Sequence, residues 1–252
     1  RTGVMENMPN VLSMALGAGE TSLIDLTAAY ASFVNGGKKV EPSLIDRIQD
    51  RRGKNIFLEN FAACTNCDKP YIEENPMPKF VNSSESIFDE AKSYQMVSIL
   101  KGAVDRGTGR KTKIDGIEIA GKTGTTNNNT DAWFIGFTSD LIIGVYAGFD
   151  KPKSLGKRET GSSVAVPIFR DFVKNYYQEK PILPFTIPNG IELIKINYDT
   201  GEIASNFNSS ESVYEAFSKS DNLAISGEIL VGSEGFQIIE VADEVMEEYV
   251  IY

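Results

Sequence analysis

The chain has 252 residues, of which 41% are hydrophobic and 24% are charged, so it is long enough to bury one large apolar core or two modest ones. Its 35 acidic and 25 basic residues give a formal net charge of -10. This acidity argues against a nucleic-acid partner, because binding phosphates requires a basic surface, and it leaves small polar or peptide partners open. The longest apolar run, residues 141–149, is far shorter than the roughly 18 residues of a membrane-spanning helix.

The first predicted helix covers about residues 23–35. Ser22 precedes it as a candidate N-cap with Asp25 three residues later, and Gly36 and Gly37 follow as a stop signal. Four apolar side chains share one face, which predicts that this face packs into the core. They are Leu23, Leu26, Tyr30 and Phe33.

The next stretch predicts a hairpin, a loop and a second helix. Residues 40–60 read as short strands that turn at residues 50–53, and residues 75–86, with two prolines and three serines, predict a surface loop. The second helix is predicted from Ser86 or Asp89 to Val104, with Gly107 and Gly109 after its end.

Alternating apolar residues then replace the helical pattern and predict three strands, over residues 116–125, 132–138 and 141–148. Only a short polar turn separates the last two, so we expect them to pair as an antiparallel hairpin. An amphipathic helix follows over residues 163–177, with Pro167 near its first turn and an apolar face that closes the sheet. That face consists of Val164, Ile168, Phe172 and Tyr176.

The composition changes at residue 181, where three prolines within eight residues mark a linker. We therefore divide the chain into residues 1–180 and a C-terminal extension, residues 181–252. A hairpin is predicted over residues 192–204, turning at residues 199–201. Because residues 205–222 are rich in Ser and Asn and residues 240–248 are acidic, the extension is predicted to be partly β and partly loosely ordered.

The two cysteines, Cys64 and Cys67, form a single C-x-x-C in a polar stretch. A structural zinc ion requires four ligands, and the chain contains no histidine. The pattern therefore favours a local disulfide or two structural thiols over a redox or metal role. We expect neither a metal site nor a cofactor.

Residues 116–123 satisfy the pattern G-x-x-x-x-G-K-T of a phosphate-binding P-loop. A P-loop follows a buried strand and opens a helix, so that backbone N–H groups and the helix dipole face the phosphates. Here the spacer residues alternate as a strand, and the three asparagines after Thr126 will not start a helix. Nucleotide binding is therefore the weaker of two interpretations.

The stronger interpretation places Lys122-Thr123-Gly124 as a K-T-G motif on an edge strand that lines a cleft, as in the serine acyltransferases that react with penicillin. There the lysine supplies positive charge, the glycine lets substrate backbone approach, and a backbone N–H forms part of the oxyanion hole. Thr123 and Thr125 share one face of the strand, and alternation directs Lys122 to the other. Lys122 must therefore lie at an edge or bend around it.

Sequence blocks on both sides of the motif make it specific. Over about residues 12–172 the chain resembles class A penicillin-binding proteins, whose blocks it carries in the same order. They are LGAGE at 16–20, AAYA at 28–31, NGG at 35–37, QMVSIL at 95–100, RGTG at 106–109, AGKTGT at 120–125, DAWFIGF at 131–137 and VYAGFD at 145–150. The resemblance implies an α/β fold, an antiparallel sheet flanked by helices, of the penicillin-binding transpeptidase and β-lactamase type.

The resemblance also implies a reaction, peptidoglycan D,D-transpeptidation. A serine attacks the D-Ala-D-Ala bond of a stem peptide, and an amine on a neighbouring strand resolves the acyl-enzyme. Lys122 would be catalytic and activate the site electrostatically, whereas Thr123, Gly124 and Thr125 would bind substrate, with both hydroxyls on the terminal carboxylate and the Thr125 N–H on the oxyanion. The implied partners are stem peptides and β-lactams, at the periplasmic face of the cytoplasmic membrane, with an anchor upstream of this chain.

The family's nucleophile motif S-x-x-K and middle motif S-x-N are both expected before Leu16, and neither is there. We therefore expect an incomplete domain that lacks its N-terminal side and is inactive alone. Later matches that begin at Ser98, Ser154 and Ser220 are interpreted as decoys, since Ser98 lies too close to Lys122 and the other two follow it. Ser98 is retained only as a weak candidate nucleophile.

Two alternatives of other kinds stay open at this point. A non-catalytic, wall-binding remnant would retain the cleft strand without acylation, and a β-lactamase-like hydrolase would share K-T-G. Two local features are also ambiguous. Trp133 either borders the cleft or, as is more common for such a position, packs in the core. Residues 106–110 are either a loop at the cleft mouth or a plain helix end.

Overall fold

The computed structural model describes residues 2–5, 9–17, 19–59, 62–65, 79–82, 84–201, 203 and 212–219. Cys67, residues 240–248 and most of residues 205–222 lie outside this set, and so do the predictions made for them. The α-helices of the described part are α1 (Leu23–Val34), α2 (Glu90–Asp105) and α3 (Val166–Tyr176). Its strands are β1 (Arg47–Gln49), β2 (Asn55–Leu58), β3 (Ala62–Thr65), β4 (Lys79–Asn82), β5 (Ala120–Thr125), β6 (Asp131–Phe137), β7 (Ile142–Gly148), β8 (Ile191–Asn197) and β9 (Ser212–Ser218).

Strands β5, β6 and β7 form an antiparallel sheet in that order, which leaves β5 at one edge. The predicted hairpin of β6 and β7 is confirmed, with Phe137 opposite Ile142 and Asp131 opposite Gly148. Strand β5 begins at Ala120, four residues later than predicted, because the chain first turns at Gly116, where φ is 81°. Helices cover both faces of the sheet, so the predicted α/β class is confirmed.

The two faces of the sheet contribute to two apolar clusters. On one face, Phe134 meets Phe169 of α3 edge to face, with ring centroids 4.9 Å apart. On the other face, Phe137 packs against Val97 and Leu100 of α2. The odd- and even-numbered positions of β6 therefore fix the two helical layers on opposite sides of one strand.

The predicted N-cap of α1 is confirmed, and Asp89, one of the two predicted starts of the second helix, caps α2. The Ser22 hydroxyl accepts the Asp25 N–H at 3.1 Å, and the Asp89 carboxylate accepts the N–H groups of Ala91 and Lys92. Each cap satisfies backbone donors that the first helical turn leaves without a partner. Helices α1 and α2 consequently begin where the sequence signals placed them.

The prediction for the apolar face of α3 is wrong. Phe169 and Val173 are fully buried, whereas Ile168 and Phe172, which were expected in the core, are 54% and 53% exposed. A wider, five-residue π-helical turn at Gly161–Ala165 precedes α3. Such a turn holds more residues than an α-helical turn, so it rotates the helix about its axis and brings the neighbouring stripe to the sheet.

Strand β1 pairs antiparallel with β2, which confirms the hairpin predicted within residues 40–60. The surface loop predicted over residues 75–86 is wrong at β4, which pairs antiparallel with β3. A four-residue strand of mixed composition is specified mainly by its partner, so its own sequence gave little signal.

The hairpin predicted over residues 192–204 is right about the turn and wrong about the main partner of β8. The chain does reverse there, with the Gly201 N–H donating to the Asn197 carbonyl at 2.9 Å and a single bridge from Ile196 to Ile203. Strand β8 then pairs along its whole length with β9. The loosely ordered segment predicted over residues 205–222 is therefore wrong at β9.

The β8–β9 hairpin packs on α2. The Gln95 side chain donates to the Ala216 carbonyl at 3.3 Å, and further polar contacts follow towards the end of the helix. The preceding linker is also attached, because Phe185 packs against Phe137 and its N–H donates to the Glu118 carboxylate at 2.9 Å. The division of the chain at residue 181 stays a prediction.

A polar cluster fixes the end of α3 to the turn between β6 and β7. The Tyr177 hydroxyl lies 2.6 Å from that of Thr138 and donates to the Asp140 carboxylate. Burial, together with this hydrogen bond to Asp140, raises the pKa of Tyr177 from 10.0 to about 12. The folded state therefore holds the phenolic proton more tightly than the unfolded state does.

This shift predicts a pH-dependent stability. A group whose pKa is raised on folding contributes stability that is complete below its unfolded pKa, so it is lost as pH rises from 10.0 to about 12. We expect the free energy of unfolding, measured by denaturant titration, to fall more steeply across this window in the wild type than in Tyr177→Phe. Equal slopes in the two proteins would contradict the assignment.

Candidate active site

The candidate site is built on β5, whose outer edge pairs with no strand of the described residues. Pairing with β6 places Thr123 opposite Phe134 and Thr125 opposite Ala132, so both threonines lie on the face that α3 covers. Gly124 lies between them, opposite Trp133. The strand thus presents two hydroxyls on one side and a free backbone edge.

Lys122 lies on the other face of β5, as strand alternation predicts. Its side chain is exposed, and its ammonium group donates to the backbone carbonyl of Thr123 at 2.9 Å. The charge is therefore held at the edge of the strand. This position also argues against the P-loop interpretation, because a P-loop lysine lies at the start of a helix and Lys122 lies within an extended strand.

Thr125 is oriented by the turn that precedes α3. Its hydroxyl oxygen accepts the Gly161 N–H at 3.0 Å, which leaves its proton free to donate to a ligand. Only a glycine fits at position 161, since a Cβ there would lie 2.4 Å from the Trp133 carbonyl oxygen and 2.6 Å from that of Gly124. The π-helical turn thus sets the rotation of α3 about its axis. It also orients the Thr125 hydroxyl, a candidate substrate-binding group.

Thr123 is paired with a residue that sequence reasoning weighed only as part of a loop. The hydroxyls of Thr123 and Thr108 lie 2.6 Å apart. The Thr108 carbonyl in turn accepts the Ser162 hydroxyl at 2.9 Å. Residues 106–110 therefore lie against the K-T-G strand. The Gly-Thr-Gly sequence after a predicted helix was the available signal, whereas nothing pointed to Ser162.

A hydrogen-bonded turn joins β5 to β6 beyond the motif. The Asp131 carboxylate accepts the hydroxyls of Thr126, Thr130 and Tyr146 at 2.9, 2.8 and 2.8 Å. These three bonds, that from Thr130 contributing most, hold the pKa of Asp131 below its ordinary value. Trp133 is half-buried and contacts Tyr146, with ring centroids 4.8 Å apart, so it lies on the sheet face next to the site rather than in the core.

Ser98 lies elsewhere, under the β8–β9 hairpin, where it lines a cavity of about 280 Å³. Its hydroxyl donates to Glu215 at 3.3 Å, and Lys101, the lysine of its S-x-x-K match, is ion-paired with Glu118. A carboxylate thus engages each residue, and neither contacts Lys122, Thr123 or Thr125 through a hydrogen bond in the described part of the chain. The structure does not bring Ser98 to the motif.

The described residues contain no group of three or more histidine, cysteine, aspartate or glutamate side chains arranged to hold a metal ion. Within the same residues, no helix combines the length and apolar character needed to cross a bilayer.

The model of the penicillin binding protein transpeptidase domain matches residues 6–174, which include α1, α2 and the whole β5–β7 sheet. The chain belongs to the penicillin-binding protein transpeptidase family. The resemblance inferred from the blocks around K-T-G is therefore confirmed.

The chain is similar to several penicillin-binding proteins 1A. That of Rickettsia conorii is 41% identical over 239 residues, which cover 93% of this chain and 29% of the relative. That of Neisseria gonorrhoeae is 38% identical over 185 residues, 73% of this chain and 21% of the relative. The chain thus spans less than a third of the length of these penicillin-binding proteins.

A solved penicillin-binding protein has the same fold. The crystal structure of penicillin-binding protein 1A from Haemophilus influenzae matches with a TM-score of 0.64 and 29% identity, covering 81% of this chain and 33% of that chain. The fold class predicted from the sequence is confirmed by this match. The roles of Lys122, Thr123, Gly124 and Thr125 stay predictions.

Proposed function

We propose that this chain forms one wall of the acyl-transfer site of a peptidoglycan D,D-transpeptidase, with the nucleophilic serine supplied from outside these 252 residues. The observation that carries the proposal is the arrangement of β5. An edge strand presents two threonine hydroxyls on one side and a lysine ammonium at its rim, within a chain of the penicillin-binding transpeptidase family.

Each residue of the motif has a role that its position supports. Thr123 and Thr125 bind the terminal carboxylate of a stem peptide, and the free edge of β5 accepts the extended peptide backbone. The Thr125 N–H donates to the oxyanion that forms when the serine attacks the penultimate D-Ala carbonyl. Lys122 stabilises the negative charge that develops in the site. Gly124, which has no side chain, lets the substrate backbone approach the strand closely.

The reaction has two steps. The serine oxygen bonds to the carbonyl carbon and the terminal D-Ala leaves as an amine, which gives an acyl-enzyme. An amine on a neighbouring stem peptide then attacks the ester and restores the serine. β-Lactams acylate the same serine because their ring amide and carboxylate present the same groups. The proposed partners are therefore stem peptides and β-lactams, on the periplasmic face of the cytoplasmic membrane.

A chimera tests the proposal. The matched segment of the Rickettsia conorii penicillin-binding protein 1A is replaced by this chain, and the product is incubated with a labelled penicillin. Intact mass and tryptic mapping then locate any adduct. We expect a stoichiometric adduct on a serine in the part of the Rickettsia conorii protein that the chimera retains, and no adduct on the 252-residue chain incubated alone.

Two other outcomes would contradict the proposal. A folded chimera that forms no adduct would favour the wall-binding remnant, in which the cleft strand is retained without acylation. An adduct on Ser98 of the isolated chain would place the nucleophile inside these residues. Circular dichroism of the chimera, before and after heating, establishes that it is folded in either case.

A further inference from the structure

A continuous set of polar contacts links the β8–β9 hairpin to the K-T-G strand. Arg106 follows the last residue of α2, and its guanidinium donates to the Glu215 carboxylate of β9 at 2.5 Å. The same guanidinium lies over the Tyr198 ring, 5.5 Å from its centroid. The Arg106 guanidinium is thus held by the Glu215 carboxylate and by the face of the Tyr198 ring, which directly follows β8.

Arg106 lies two residues before Thr108, whose side chain contacts the K-T-G strand. The Arg106 N–H still closes the helix on the Gly102 carbonyl, and Gly109 turns back to donate to Ala103 at 3.0 Å. A Cβ at position 107 would lie 2.8 Å from the Ala103 carbonyl oxygen, so this close return requires glycine. This tightly folded backbone therefore ties the position of Thr108 to that of Arg106.

Thr108 is then held from both sides. Its hydroxyl lies 2.6 Å from that of Thr123, and its carbonyl accepts the Ser162 hydroxyl. When Thr108 donates its proton to Thr123, the Thr123 proton is free for a carboxylate. Thr125, whose hydroxyl accepts the Gly161 N–H, is placed in the same state. Both hydroxyls can thus donate to a ligand on the same face of β5.

We propose that the β8–β9 hairpin is a positioning element for the K-T-G strand, with Glu215 acting through Arg106 and Thr108 on the Thr123 hydroxyl. The inference rests on the proposed function for its effect on substrate, but the coupling itself is a property of the fold. The ion pair is only partly shielded from solvent, with 31% and 20% of the two side chains exposed, so the expected effect is modest.

The coupling is first measured on the 252-residue chain. Glu215→Gln should speed hydrogen exchange at the backbone amides of Gly109, which donates to the Ala103 carbonyl, and of Gly124, which pairs with Trp133 in the sheet. Asp105→Asn is the matched control, because it removes the ion pair of Asp105 with Lys113 on the same last turn of α2 and leaves Arg106 in place. Unchanged exchange at both amides in Glu215→Gln would overturn the proposal whether or not the chimera reacts with penicillin.

The consequence for ligand is measured on the chimera, by separating the dissociation constant for penicillin from the acylation rate constant. A hydroxyl that binds the carboxylate equally in ground and transition states affects the first and not the second. We expect Glu215→Gln to raise the dissociation constant about three- to tenfold, with the acylation rate constant unchanged. Asp105→Asn should leave both at wild-type values.

A charge exchange distinguishes positioning from loss of fold. Glu215→Arg and Arg106→Glu should each weaken penicillin binding, and the double variant should restore it in part. Failure of the double variant to recover, or an unchanged dissociation constant in Glu215→Gln, would overturn the proposal. A wild-type chimera that never reacts would refute the proposed function instead, and the exchange measurement would still decide the coupling.

Discussion

Replacing Lys122 with methionine should lower the rate of penicillin acylation of the chimera by about 100- to 1,000-fold, the loss found when one preorganised group that stabilises transition-state charge is removed. The ammonium group is exposed and held at the rim of β5 by the Thr123 carbonyl. Methionine keeps the unbranched chain and removes the charge. The second-order rate constant for acylation, measured with a labelled penicillin, is the test.

Lys111→Met is the matched control for this prediction. Lys111 is another exposed lysine, in the short 3₁₀ helix Arg110–Thr112 that follows the Thr108 loop, and it lies outside the motif. Its loss should leave the acylation rate within about twofold of wild type, because an exposed charge beyond the site is screened by solvent. If the two variants reacted equally fast, Lys122 would have no catalytic role.

Phe169→Ala should destabilise the chain by about 3–5 kcal/mol, the usual cost of truncating a buried phenylalanine. Its ring is fully buried and meets Phe134 on the sheet, so the change removes apolar contacts and leaves a cavity. Phe172→Ala, three residues later on α3, removes a ring that is 53% exposed. Its cost should be below about 1 kcal/mol.

The pair decides which stripe of α3 is buried. The free energy of unfolding of each variant is measured by urea titration and compared with that of the wild type. A larger loss in Phe172→Ala than in Phe169→Ala would reverse the assignment and restore the face predicted from the sequence. Equal losses would mean that both stripes are covered.

The buried face of α3 shows what could not be predicted from the sequence alone. Periodicity found the helix, but two apolar stripes, one through Phe169 and one through Phe172, fit the same pattern. The choice between them depends on the π-helical turn at Gly161–Ala165, which rotates α3 about its axis. Local sequence preferences do not reveal this rotation. By contrast, Ser22 and Asp89 were predictable, because a cap is a local interaction between a side chain and the next turn.

Strand β9 and the surroundings of K-T-G were beyond prediction for a related reason. The Val213–Phe217 alternation is short and lies in a Ser- and Asn-rich stretch, so composition concealed it. Thr123 and Thr125 could be placed on one face by alternation alone. Their partners, Thr108 and Gly161, come from distant segments and depend on tertiary packing.

The most direct test of the account is the structure of the chimera after acylation by penicillin. We expect the carboxylate of the bound penicilloyl group within hydrogen-bonding range, about 2.5–3.0 Å, of both the Thr123 and Thr125 hydroxyls. The Thr125 N–H should point at the carbonyl oxygen of the acyl-enzyme ester. A penicilloyl carboxylate held by other residues, with β5 unoccupied, would contradict the claim that this strand is the substrate-binding wall.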